Sequence, residues 1–172
     1  MGSLSSEDRL RLEEREERTG DPHRDEEMNL TIDASVFVSA ARPSEKLYPL
    51  SYRFLQKVKG LKVFCPTLIL AECGAAIARP TGDSALSKKL VSLVEHFPGM
   101  NHVPLDLRFA CRAAEMAIEY RLRGADAVYV AVAEVFDAAL ISWDEEMLQR
   151  SPEFVPTMSP EEWLEGPTKT GT

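Results

Sequence analysis

The pattern of apolar positions divides the chain near Asn29. Residues 3–27 have no apolar periodicity, whereas beyond them short apolar runs alternate with segments of helical spacing. Residues 30–32 read as a strand leading into Asp33, and 34–41 as one or two helical turns broken by Pro43. Leu47, Leu50, Phe54, Leu55 and Val58 predict a helix over 44–59 that Gly60 closes. A second strand over 62–65 is followed by a nearly uncharged helix over 67–79, ended by Pro80. Leu86, Leu90, Leu93 and Val94 predict a helix over 83–97, and a strand follows at 101–104. The next helix, 106–121, has Ala110, Ala113, Ala114, Ala117 and Ile118 as its packing face. In 125–136 the residues Val128, Tyr129, Val130 and Val132 favour a strand, while its length and four alanines favour a helix; we read it as a helix. A strand over 138–142, a short helix over 144–149 and an edge strand over 154–156 follow. Ser159-Pro160-Glu161-Glu162 resembles a capping box that opens a last helix, closed by Gly166-Pro167.

Strands alternating with helices imply right-handed crossovers and a mainly parallel sheet covered on both faces, an α/β fold. Ligands of such sheets gather at the carboxyl ends of the strands. No Gly-rich phosphate loop is present, which excludes a nucleotide-cradling site. Residues 1–28 are expected to be a disordered charged tail, 29–166 one folded domain and 167–172 a flexible end.

Composition adds an objection. The 172 residues carry 20 Lys+Arg against 28 Asp+Glu, a net charge of −8, which argues against a polyanionic partner. The three cysteines form no CxxC pair, so no disulfide framework or zinc knuckle is expected. The first residues lack the apolar stretch of a signal peptide, and the longest apolar run, 63–78, is too short to span a bilayer. A cytoplasmic protein with no membrane association is expected.

The chemistry lies in isolated carboxylates. Asp33 is the only charged residue between Met28 and Ala41, Glu72 between Pro66 and Ala78, and Asp126 between Gly124 and Ala133. A carboxylate in apolar surroundings loses hydration that hydrogen bonds, a cation or a metal must replace. Asp144, directly after the strand 138–142, is a fourth, with Glu145 and Glu146 beside it. The topology brings these four to one end of the sheet. Clustered carboxylates repel unless a divalent cation neutralises them, and an oxygen-only set selects Mg²⁺ or Mn²⁺ over Zn²⁺. The chemistry such a site supports best is in-line attack of metal-activated water on a phosphodiester. Plainer readings stand beside this one: Asp33 and Asp144 as helix N-caps and Asp126 as a first-turn charge. Glu72, among Leu68, Ile69, Ala75 and Ala76, has no local backbone partner.

Leu30-Thr31-Ile32-Asp33-Ala34-Ser35, Leu70-Ala71-Glu72, the stretch 121–131 and Ser142-Trp143-Asp144-Glu145-Glu146-Met147-Leu148 together resemble the PIN-domain family, most closely its VapC-like toxins. The resemblance implies a three-layer α/β/α sandwich, Mg²⁺- or Mn²⁺-dependent endoribonuclease activity, a homodimer and, for a toxin, an antitoxin partner. It also implies that Asp33, Glu72, Asp126 and Asp144 form the catalytic, metal-binding quartet, supported by the hydroxyls of Ser35 and Ser142. VapC-like chains begin almost at the first strand, so the charged extension before Asn29 is a departure.

An RNA substrate needs cations. Lys57, Lys59, Lys62, Arg79, Lys88, Lys89, Arg121 and Arg123 are available, and Arg123, three residues before Asp126, is expected to meet a phosphate. Two other functions compete: a non-catalytic PIN-like module binding RNA or protein, and a phosphotransfer domain. The latter would need a second aspartate where Ser35 stands. The net charge also looks different by position. Residues 3–27 hold ten acidic and five basic residues, which leaves −3 for the remainder, and without the four site carboxylates that remainder is +1. The acidity is therefore no argument against RNA.

Overall fold

The computed structural model describes residues 28–166. The expected tail, apart from Met28, and the segment 167–172 lie outside the described residues. Five strands, β1 (Asn29–Ile32), β2 (Val63–Pro66), β3 (Met100–Val103), β4 (Ala138–Ile141) and β5 (Thr157–Met158), form one sheet in the order β3-β2-β1-β4-β5. Every neighbouring pair is parallel, with Leu30 opposite Val63 and Ala139, and Val63 opposite Met100.

Eight helices connect and follow the strands among the described residues: α1 (Ala34–Ala40), α2 (Tyr48–Lys57), α3 (Leu68–Thr81), α4 (Ser84–Glu95), α5 (Leu107–Tyr120), α6 (Gly124–Val135), α7 (Glu145–Arg150) and α8 (Pro160–Glu165). The chain winds outward from β1 to β3, then returns across the sheet to β4. Right-handed crossovers in opposite directions place their helices on opposite faces. Thus α1 to α4 cover one face, and α5 and α6 cover the other, giving three layers. Packing agrees: α6 rests on β1, β2 and β4 and against α5, while α1 packs on α2 and α3. The direction of winding reverses between β1 and β4, and a crevice opens there at the carboxyl ends of the two strands.

The segment with mixed propensity is a helix, α6, and Asp126 to Ala133 are all buried in it. A helix apolar on all sides belongs in the interior. Its surroundings explain the valines, which pack against the sheet and α5 together. Gly99 has a backbone φ of +89°, and a Cβ there would meet the Leu61 carbonyl oxygen, so only glycine fits the turn into β3.

Several boundaries differ from the sequence expectation. Helix α2 begins at Tyr48, because residues 44–47 are taken up by turns such as the Glu45 amide bonded to the Arg42 carbonyl at 2.9 Å. Pro80 does not end α3. The helix continues to Thr81 and stops at Gly82, whose left-handed φ of 67° terminates it. Pro80 is exposed, so water can satisfy the carbonyl that its missing N–H leaves free. The edge strand is Thr157–Met158, not 154–156; Pro156 contributes only its carbonyl, to the Leu140 amide, and Phe154 is exposed. On α5 the packed residues are Ala113, Met116 and Ala117, whereas Ala110, Ala114 and Ile118 face outward. Among the described residues no helix is long and apolar enough to cross a membrane.

Candidate active site

The carboxyl ends of β1 and β4 are joined by hydroxyl groups. Asp33 follows Ile32 directly, its amide bonded to the Ile141 carbonyl at 2.9 Å, so it is held in the sheet register although it is no longer strand. Its Oδ2 accepts from the Ser35 amide (3.2 Å), Ser35 Oγ (2.5 Å) and Ser142 Oγ (2.9 Å). Ser142 is fully buried and also accepts from the Asp144 amide at 2.9 Å. One hydroxyl therefore couples Asp33 to the backbone of Asp144. Ser35 Oγ in turn accepts from the Trp143 amide at 3.2 Å. The Trp143 indole N–H donates to Ser51 Oγ at 2.7 Å, and Ser51 meets Ser39 at 2.6 Å, which carries the network into α1 and α2.

Each of the four carboxylates has its own setting. Asp33 is buried, and desolvation raises its pKa against the lowering effect of the Ser35 and Ser142 hydroxyls. Glu72 projects from the second turn of α3 and accepts from the Tyr129 hydroxyl at 2.5 Å. Burial raises its pKa first, with the charges of Asp33 and Asp126 adding to the effect. Asp126 stands in the first turn of α6. Its Oδ2 is buried and has no hydrogen-bond partner among the described residues. Burial, followed by repulsion from Asp144, pushes its carboxyl up to about 6. Asp144 caps α7, with Oδ1 accepting from the Met147 amide at 3.0 Å and Oδ2 facing Arg123 Nη1 at 3.4 Å.

The four line one open cleft of about 740 Å³, together with Ser35, Val38, Ala75, Ala76, Arg79 and Pro80. The plainer readings also hold in part, since Asp33 and Asp144 do cap their helices. Capping occupies one oxygen of each and leaves the other free of the cap. Among the described residues Asp126 makes no cap and no salt bridge, and a buried carboxylate oxygen without a donor is costly unless a cation meets it. The donor set is all oxygen, as Mg²⁺ or Mn²⁺ requires. Among the described residues no three acidic, His or Cys side chains are drawn into a preformed chelate. Repulsion among the carboxylates, which adds to burial in raising the pKa of Glu72 and Asp126, opposes such closure.

Arg123 is engaged elsewhere. Its guanidinium pairs with Glu146 at 2.6 Å and reaches Asp144 at 3.4 Å, and Arg150 closes the far side of Glu146 at 2.8 Å. It does not line the cleft. Tyr129 and Glu146 belong to the site's support and were not singled out from sequence as site residues. Tyr129 was legible in principle: it lies three residues after Asp126, on the same face of α6.

The PIN-domain family model matches residues 30–152. No curated protein matches the chain in sequence. Solved structures share the fold. PAE2754 from Pyrobaculum aerophilum is 21% identical, with a TM-score of 0.61 over 81% of this chain and 95% of that one. VapC20 of Mycobacterium tuberculosis, described as a sarcin-ricin loop cleaving toxin, is 12% identical, with a TM-score of 0.60 over 69% of this chain and 92% of its own. A toxin-antitoxin complex from Klebsiella pneumoniae matches at 14% identity and a TM-score of 0.57, covering 76% of this chain and 97% of that one. With the family model spanning β1 to the end of α7 and all four carboxylates inside it, the chain belongs to the PIN-domain family.

Proposed function

We propose that this protein is a divalent-metal-dependent endoribonuclease, and that it acts as the toxin of a toxin-antitoxin pair. The observation that carries the enzymatic reading is Asp126 Oδ2, buried and without a hydrogen-bond partner among the described residues, in a cleft it shares with Asp33, Glu72 and Asp144. A purely structural domain gains nothing from an unsatisfied buried carboxylate.

Asp33, Glu72, Asp126 and Asp144 are the residues that would hold Mg²⁺ or Mn²⁺. Bound there, the ion supplies an activated water and charge stabilisation for hydrolysis of a phosphodiester. The protein's own part is positioning. Ser35 and Ser142 fix Asp33 Oδ2, and the Tyr129 hydroxyl fixes Glu72 Oε2. The α7 amide at Met147 holds Asp144. Arg123 offsets part of the acidic charge from outside the cleft.

The toxin role, with an antitoxin as partner, draws support from the toxins and toxin-antitoxin complex that share the fold. A homodimer is supported by an apolar stripe on α5 in which Leu107 and Ile118 are 80% and 81% exposed, with Cys111 and Ala114 exposed between them. A cytoplasmic location fits a ribonuclease of cellular RNA.

Purified protein incubated with single-stranded and hairpin RNA is expected to cleave with Mn²⁺ or Mg²⁺ and to stop with EDTA. Asp126→Asn is expected to remove cleavage while the circular-dichroism spectrum is retained. Cleavage undiminished in EDTA or in Asp126→Asn would overturn the reading.

A further inference from the structure

We propose that Arg79 grips the RNA backbone at the end of the cleft remote from the carboxylates, on a phosphate a few nucleotides from the cleaved bond. The proposal rests on the ribonuclease reading and names a contact that reading does not include.

One wall of the cleft is a single face of α3: Glu72, Ala75, Ala76, Arg79 and Pro80, spaced i, i+3, i+4, i+7 and i+8. Seven residues of helix carry this face about 10 Å from the carboxylate end, at about 1.5 Å per residue. That is about three steps of a stacked strand at about 3.4 Å each. On this face the methyl groups of Ala75 and Ala76 separate Glu72 from Arg79, and Val38 of α1 also lines the cleft. That stretch of the lining is uncharged.

Charge points the same way. A polyanion entering a cleft with four carboxylates needs cations along its path. Among the described residues Arg79 is the one basic side chain lining the cleft, and it makes no salt bridge. Arg42, Arg112, Arg123 and Arg150 are all paired with acids. Arg79 is exposed, and a guanidinium presents a planar fork that matches phosphate oxygens. Its position in the last turn of α3 also offsets the helix dipole. That role alone would affect stability and leave substrate binding untouched.

The test measures wild type, Arg79→Ala, Arg79→Lys and Lys46→Ala with a labelled RNA oligonucleotide in Mn²⁺, for cleavage kinetics and for binding across a salt series. Lys46→Ala removes an exposed charge outside the cleft. Arg79→Ala is expected to raise KM and the RNA Kd about tenfold with kcat within about twofold, and to flatten the salt dependence by about one phosphate contact. Arg79→Lys recovers part of the affinity, and Lys46→Ala resembles wild type. Arg79→Ala with wild-type KM, Kd and salt slope would overturn the proposal while leaving the ribonuclease reading intact. A wild type that binds RNA through Arg79 without cleaving it would overturn that reading instead. A wild type that neither binds nor cleaves RNA would overturn both.

Discussion

The Tyr129 hydroxyl donates to Glu72 Oε2 at 2.5 Å, joining α6 to α3 across 57 residues of sequence. Tyr129 is fully buried, so its ring is fixed by the core and its hydroxyl can hold the carboxylate in one orientation. Asp126 lies one turn earlier on the same helix. The two helices thus present Glu72 and Asp126 to the cleft from a rigid base.

Tyr129→Phe removes that donor and keeps the ring. Glu72 is only half-buried, so water can replace the hydroxyl and the melting temperature should change little. Mn²⁺ affinity is expected to fall by about tenfold or more, the usual effect of losing a partner that orients a ligand. Calorimetric titration of both proteins checks this; equal affinities would show that Glu72 needs no such support.

Ser142→Ala should behave in the opposite way. The hydroxyl is inaccessible to water and serves both Asp33 Oδ2 and the Asp144 amide, each at 2.9 Å. Its removal takes one of three donors from the buried Asp33 Oδ2 and leaves the Asp144 amide without its partner, a cost of about 2 kcal/mol. In thermal melts this appears as a loss of about 4–8 °C. An unchanged melting temperature would contradict the coupling of the two strand ends.

The fold and the four acids were readable in the sequence because each rests on short-range pattern. Leu30 to Ile32 and Ala138 to Ile141 are apolar runs of strand length, and Asp33, Glu72 and Asp126 stand alone in apolar stretches. What was not readable depends on contacts made across the chain. Ser142 is named as support only through the family resemblance, because its bond to Asp33 spans 109 residues and no local pattern points to it. Arg123 stands three residues before Asp126 in sequence, yet its guanidinium pairs with Glu146 on α7 and with Asp144 of the site, partners that lie 23 and 21 residues away. Pro80 signals a helix stop in sequence, but exposure to water at that turn lets the helix continue to Thr81. Spacing puts Ile118 on a packing face without saying whether another element covers it, and it is exposed.

Asp126 makes the metal-free protein pH-sensitive. Its carboxyl titrates near 6 in the folded chain, against an ordinary 3.8. Between those values the folded state holds a proton that the unfolded state has released, so stability rises as pH falls through that window and is lost as pH rises through about 6. The raised values of Asp33 and Glu72 act in the same direction. In EDTA the wild type should therefore melt at a higher temperature at pH 5 than at pH 7.5. At pH 7.5 Asp126→Asn, freed of a buried charge, should exceed wild type by about 2–4 °C, equivalent to about 1 kcal/mol. A variant less stable than wild type at pH 7.5 would mean that the carboxylate already has a partner.

The most direct test of the carboxylate site is a calorimetric titration of Mn²⁺ into wild type and Asp126→Asn at pH 7.5 and pH 5, with and without an uncleavable RNA oligonucleotide. Saturable binding to wild type is expected at pH 7.5, about tenfold weaker at pH 5 as Asp126 takes up its proton. Little binding to Asp126→Asn is expected at either pH. Absence of binding to wild type at millimolar Mn²⁺, with or without RNA, would contradict a metal site built on these carboxylates.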